Sequence, residues 1–196
     1  MEQSVREVKQ KLRQTVIAAR RSLTPAYREE ASRLMRSALY ELPQYQMAKT
    51  IFVYASMAEE VQLYDLMEQA IASNHTVCLP LVTGRGMMEA VELLSMDDLV
   101  PGQFGILTVD SVKQRVIPAN VIDFIVVPGV AFDRKGRRLG LGAGYYDYFM
   151  SEKASCAFRC ALAFDCQLMA EVPTEPHDEC VHYIITEKES FTVAKE

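Results

Sequence analysis

Glycine and proline are thinly spread, nine and eight positions in 196, which excludes collagen-like and low-complexity chains. A basic excess is also missing: 21 Lys and Arg stand against 26 Asp and Glu, a formal net charge of -5. Nonspecific nucleic-acid binding needs the opposite balance, so any anionic ligand must meet a local basic cluster. No stretch approaches the run of about 18 apolar residues that spans a membrane. The opening segment, residues 1–14, has no apolar core of the kind a signal peptide carries. A cytoplasmic location with neither membrane nor nucleic-acid partners is therefore expected. Cys78, Cys156, Cys160, Cys166 and Cys180 are irregularly spaced without a C-x-x-C pair, and histidines number three. A disulfide framework and a structural zinc site both lack their ligand spacing.

What is present, 49% apolar and 24% charged residues, suits a globular chain with one full hydrophobic core. One domain over 1–196 is expected. Ser4 with Glu7 three residues later reads as a capping box, followed by Val5, Val8, Leu12, Val16, Ala19 and Leu23 at helical spacing. Thr24-Pro25 restarts the pattern as Tyr27, Ala31, Leu34, Ala38 and Leu42, ending before Pro43. Residues 1–43 thus form a helical hairpin and 44–196 a sheet core. There, apolar runs at 51–56, 76–81, 121–127, 160–164 and 181–186 predict buried strands, with helices near 63–71 and from 144 to 150. A further strand is expected near 88–93. Strands alternating with helices imply an α/β fold with a covered, mostly parallel sheet.

The densest chemistry follows the most apolar strand, from Pro128 to Asp147. Gly140, Gly142 and Gly144 alternate, so backbone N–H groups can approach a phosphate, and a helix start follows. Residues 133–138 hold four cations and one carboxylate, the place for an anion in an acidic protein. Taken alone, this is also a glycine-rich turn with solvated charges. Asp147 and Asp178 could hold Mg²⁺, which needs only one or two carboxylates beside phosphate oxygens; alone, each also reads as a turn residue. Lys9 and Arg13, four apart, share a helix face that could grip phosphates or simply be solvated. Glu60, past the first strand, could hold a heterocycle through its ring N–H groups or merely approach the next helix.

Together these segments resemble the 5-formyltetrahydrofolate cyclo-ligase family, also called 5,10-methenyltetrahydrofolate synthetase. The resemblance rests on Phe132-Asp133-x-x-Gly136-x-Arg138-Leu139-Gly140-x-Gly142-x-Gly144-Tyr145-Tyr146-Asp147. It extends to Lys9-x-x-x-Arg13, Tyr54-x-Ser56-x-x-x-Glu60-Val61, Gly102-x-Phe104-Gly105-Ile106, and a His177-Asp178 turn before Ile184-Ile185-Thr186-Glu187. It implies a Rossmann-like three-layer α/β/α domain with its site across the carboxyl ends of the strands. It further implies ATP- and Mg²⁺-dependent conversion of 5-formyltetrahydrofolate, polyglutamylated or not, to 5,10-methenyltetrahydrofolate, ADP and phosphate, by a monomer or weak homodimer.

Carried over by position, the resemblance gives Lys9, Arg13 and the run Arg138, Leu139, Gly140, Leu141, Gly142, Ala143, Gly144, Tyr145 and Tyr146 to ATP. Glu60, Ala55 and Tyr145 go to the folate, Asp147 and Asp178 to the metal, and charge stabilisation on the transferring phosphoryl group to Arg138. Leu141 stands where several members place a second arginine, which shifts the phosphate grip toward Arg138, Lys9 and Arg13. Two other readings remain: a phosphosugar or coenzyme A-type enzyme on a similar sheet, and a non-catalytic nucleotide-binding module. The first would not require both the Lys9/Arg13 pair and Glu60; the second predicts ATP binding without turnover of the formyl-folate.

Overall fold

The computed structural model describes residues 4–102 and 105–193; Phe104 of the Gly102-to-Ile106 motif lies outside them. Ser4 and Glu7 form the expected capping box, each side chain accepting the other's backbone N–H, and open α1 (Val5–Ser22). Thr24 caps α2 (Pro25–Tyr40), and the short α3 (Pro43–Met47) leads into β1 (Thr50–Phe52). Then come α4 (Tyr64–Ala72), β2 (Thr76–Gly84) and β3 (Met87–Leu93). Four short strands follow: β4 (Leu99–Pro101), β5 (Leu107–Val109), β6 (Val116–Ile117) and β7 (Phe124–Val126). The chain continues through β8 (Ala131–Asp133), β9 (Arg138–Leu139), α5 (Tyr145–Tyr148), β10 (Phe158–Leu162), β11 (Leu168–Met169), β12 (Tyr183–Ile185) and β13 (Ser190–Thr192).

Among the described residues the main sheet has eight strands in the order β13-β12-β10-β7-β1-β2-β3-β6. The five from β12 to β2 run parallel, while β13, β3 and β6 pair antiparallel. This agrees with the α/β, mostly parallel reading. The chain steps from β1 to β2 on one side and returns to β7 on the other, so the β1/β7 boundary is the topological switch point where such sheets bind ligands. Strand alternation explains why both faces are covered. Ile51, Phe124 and Val126 meet Met35 and Leu39 of α2 and Leu66 and Met67 of α4 in one core. Phe52, Ile125 and Val127 meet Phe149, Met150 and Ala154 in the other. Phe52 stacks on Phe149 with ring centroids 4.7 Å apart, and truncating a buried phenylalanine of this kind costs about 3–5 kcal/mol.

Two expectations shift. The strand expected over 51–56 ends at Phe52, because Ser56 turns the chain: its hydroxyl donates to the Val61 carbonyl (2.8 Å) and accepts the Leu63 N–H (3.1 Å). The helix expected from 144 to 150 is one α turn, α5, continued by a π turn over Phe149–Lys153.

The first helix departs further. Its hydrophobic stripe does not all face inward, since Val5 and Val8 are exposed and the buried positions are Lys9, Val16 and Arg20. Val16 packs with Val130, Ala131, Leu139 and Val172 on a small sheet in the order β11-β8-β9. The rest of that inward stripe is cationic because it looks into a cavity rather than a core. All five cysteines are free. No described helix is long and apolar enough to cross a membrane.

Candidate active site

At the carboxyl ends of β1 and β7 lies a cavity of about 1050 Å³. One wall is α1. Lys9 and Arg20 are 5% and 3% exposed and, with Arg6 and Arg13, line the cavity. They share a stripe because separations of 3, 4 and 11 residues are close to whole turns. The Lys9 ammonium donates to Asp178 at 2.6 Å and Glu175 at 2.7 Å. Burial opposes its charge, but these hydrogen bonds outweigh it and hold Lys9 above its ordinary range.

The glycine loop forms the second wall. Asp133 is fully buried and shapes it: its carboxylate accepts the N–H groups of Lys135, Arg137 and Val172 and the Arg137 guanidinium. Gly136 takes φ +75° with the Val181 carbonyl 2.5 Å from where a Cβ would sit, so only glycine fits. Arg13 Nε donates to the Gly140 carbonyl at 2.8 Å, tying α1 to the loop.

The basic run does not act as a unit. Arg134 pairs with Glu189 on the surface and Arg137 with Asp133 and Glu171. Of residues 133–138, Arg138 is the one on the cavity wall. It is 5% exposed and donates to Asp147 at 2.6 Å and to the Pro128 carbonyl at 3.2 Å. The Asp147 oxygen that accepts Arg138 also takes the Glu179 N–H at 3.1 Å.

At the loop after β1, Glu60 Oε2 accepts the Met57 N–H at 3.0 Å, and Glu60 Oε1 is 3.7 Å from Arg20. Burial raises the Glu60 carboxyl above its usual range, opposed by the Met57 N–H and the Arg20 charge. Tyr54 and Tyr146 are pushed up in the same way. The β2–β3 hairpin supplies an apolar wall of Pro80, Leu81, Val82 and Met88. Three buried polar atoms have no partner among the described residues and belong to side chains on this cavity: Arg20 Nε, Arg138 Nε and the Tyr146 hydroxyl. Buried polar groups are satisfied as a rule; the fourth such atom among the described residues, Arg159 Nε, belongs to a side chain away from the cavity.

Lys9, Arg13, Glu60, every residue from Arg138 to Asp147, and Asp178 therefore line one cavity. Ala55 does not: it is buried and is not among the lining residues. As for metals, ligand atoms of Glu175, His177 and Asp178 lie within 4.8 Å of one another, and Asp147 is outside that cluster. Carboxylate oxygens of this kind, completed by phosphate oxygens, fit Mg²⁺. Sequence reasoning missed Glu175, which partners Lys9, and Arg20. The available signal for Arg20 was its spacing of 11 from Lys9, three helical turns.

The family model described as the 5-formyltetrahydrofolate cyclo-ligase family matches residues 5–187. A protein named 5-formyltetrahydrofolate cyclo-ligase from Haemophilus influenzae is 30% identical over 173 residues, 87% of this chain and 92% of that protein. One of the same name from Mycolicibacterium smegmatis is 29% identical over 194 residues, 95% of this chain and 97% of that one. The NMR structure of Aquifex aeolicus 5,10-methenyltetrahydrofolate synthetase superposes with a TM-score of 0.85 at 30% identity, covering 96% of this chain and 94% of that one.

Proposed function

The chain belongs to the 5-formyltetrahydrofolate cyclo-ligase family, a family of ligases, and from that premise we propose that it converts 5-formyltetrahydrofolate to 5,10-methenyltetrahydrofolate with ATP and Mg²⁺. The observation that carries this reading is the meeting of Lys9, Arg13, Arg138 and the glycine loop with the buried Glu60 around one cavity.

The chemical difficulty is that a formyl amide is a poor electrophile and its oxygen a poor leaving group. Transfer of the γ-phosphoryl group of ATP to the formyl oxygen removes both obstacles. N10 then attacks the formyl carbon, loses its proton, and phosphate departs. Such a transfer asks for alignment and neutralisation of charge rather than a protein nucleophile. Lys9 and Arg13 hold phosphates from the helix side and the loop from Arg138 to Tyr146 wraps the nucleotide. The planar guanidinium of Arg138 is suited to the phosphoryl oxygens in flight. Glu60 accepts ring N–H groups of the pterin, and Tyr145 closes over the folate.

Asp178 and Asp147 would hold Mg²⁺, whose contribution when bound is to neutralise phosphate charge. Those carboxylates pair with Lys9 and Arg138. With a magnesium nucleotide bound, Lys9 and Arg138 would turn to phosphate oxygens and the two carboxylates would be free to hold the metal, leaving no lone charge buried.

The test is the near-ultraviolet absorbance of the methenyl product on mixing the protein with 5-formyltetrahydrofolate, ATP and Mg²⁺. A rise that disappears when either ATP or metal is omitted is expected. A flat trace from folded, ATP-binding protein would overturn the reading.

A further inference from the structure

Glu60 would have to accept hydrogen bonds with its side chain only 12% exposed, and a carboxyl drawn from water tends to take up a proton. Protonated, it keeps fewer acceptor sites and presents an O–H to donors it should be receiving. The groups facing it are Glu59, the phenols Tyr54, Tyr64 and Tyr146, and Arg20. Glu59 is itself paired to Arg21 at 3.3 Å, and the Tyr64 hydroxyl donates to the Ser56 carbonyl. Arg20 is the cation among them. Its guanidinium lies 3.7 Å from Glu60 Oε1, a contact between charges that is too long for a hydrogen bond. Arg20 Nε is buried without a partner among the described residues. A long side chain held nearly inaccessible, with one donor unused and its charge against a single carboxylate, is not explained by packing alone.

We infer that Arg20 is a positioning residue, holding the Glu60 carboxylate ionised and oriented so that both its oxygens can meet the adjacent N–H donors of a pterin-like ring. This rests on the reading of Glu60 as the folate anchor. It also gives α1 a second task. Lys9 and Arg20 are 11 residues apart on one stripe, about 16 Å along the axis. One rigid helix thus spans from the phosphate-facing end of the cavity to the ring-facing end.

The experiment is calorimetric titration of the intact chain with 5-formyltetrahydrofolate, without ATP, from about pH 5.5 to 8.5. Wild type should lose affinity only toward the acid end. In Arg20→Gln the loss should begin at higher pH, with binding near neutrality about tenfold weaker. Arg20→Lys, which keeps the charge, should retain the wild-type profile. Glu60→Gln should bind weakly with no pH limb, and the double variant should bind no worse than Glu60→Gln alone, since Arg20 then has nothing to act through.

An Arg20→Gln profile equal to wild type would overturn the inference while leaving Glu60 as the anchor. So would losses that add in the double variant, or an Arg20→Lys protein as weak as Arg20→Gln at every pH, because both mean that Arg20 serves packing. Wild-type binding by Glu60→Gln would overturn the anchor reading and this inference together.

Discussion

At the glycine-loop end of the cavity two inward cations rest on carboxylates, Lys9 on Asp178 and Arg138 on Asp147, both at 2.6 Å, while Arg13 donates to the Gly140 carbonyl. At the Glu60 end the carboxylate has one backbone N–H and a guanidinium 3.7 Å away. On the proposed function, the difference would follow from the ligand each end takes. A magnesium nucleotide brings charges of both signs and would suit a site whose own charges pair with one another. A pterin ring is uncharged and includes a row of directed N–H donors, for which a carboxylate with unused acceptor capacity would be suited. Preorganisation of that kind is held against the preference of burial for the neutral form.

The largest effect should come from breaking the loop end. Arg138→Ala should lower turnover by about 100- to 1000-fold, the range for losing one stabilising donor at developing charge, while calorimetry finds folate affinity little changed. Equal losses in both quantities would erase the distinction between the two ends. Lys9→Ala should weaken magnesium-nucleotide binding about tenfold, the scale of a charged hydrogen bond, again without moving the folate constant.

Glu60→Gln should do the reverse, raising KM for the folate far more than it lowers kcat. It should also change stability, with a definite sign. Burial lifts the Glu60 carboxyl above its ordinary 4.5. Its contribution to stability is therefore full below that value and lost as pH rises through the folded-state value. Thermal unfolding should accordingly find Glu60→Gln more stable than wild type at neutral pH, with the advantage vanishing in acid. Smallest is Ser4→Ala, which removes the α1 cap. Denaturant unfolding should register about 1 kcal/mol or less, with any change in substrate constants confined to the nucleotide.

Much of this was legible in the residues themselves. The Ser4/Glu7 capping box, the Thr24-Pro25 restart and the apolar runs that became β1, β2, β7, β10 and β12 are local patterns. Local patterns are written in propensity and periodicity. The loop from Gly136 to Gly144 was equally readable, because three of its glycines, Gly136, Gly142 and Gly144, take positive φ that other residues adopt only under strain.

The cationic stripe of α1 was harder. Lys9 and Arg13 were visible as a pair, but the hydrophobic stripe beside them suggested a helix buried by Val5 and Val8, both of which are exposed. Nothing in sequence periodicity separates a polar stripe facing solvent from one facing a cavity.

The sequence by itself determined the class of fold, the order of its principal elements and the glycine loop on the site, since these depend on interactions among near neighbours along the chain. Only the tertiary structure decided which charges meet. Lys9 reaches Asp178 across 169 positions, Arg20 reaches Glu60 across 40, and Arg134 and Arg137 are drawn away to other carboxylates while Arg138 turns inward. An ion pair is set by distance in space and by the local loss of water, and neither is encoded at any one position of the chain.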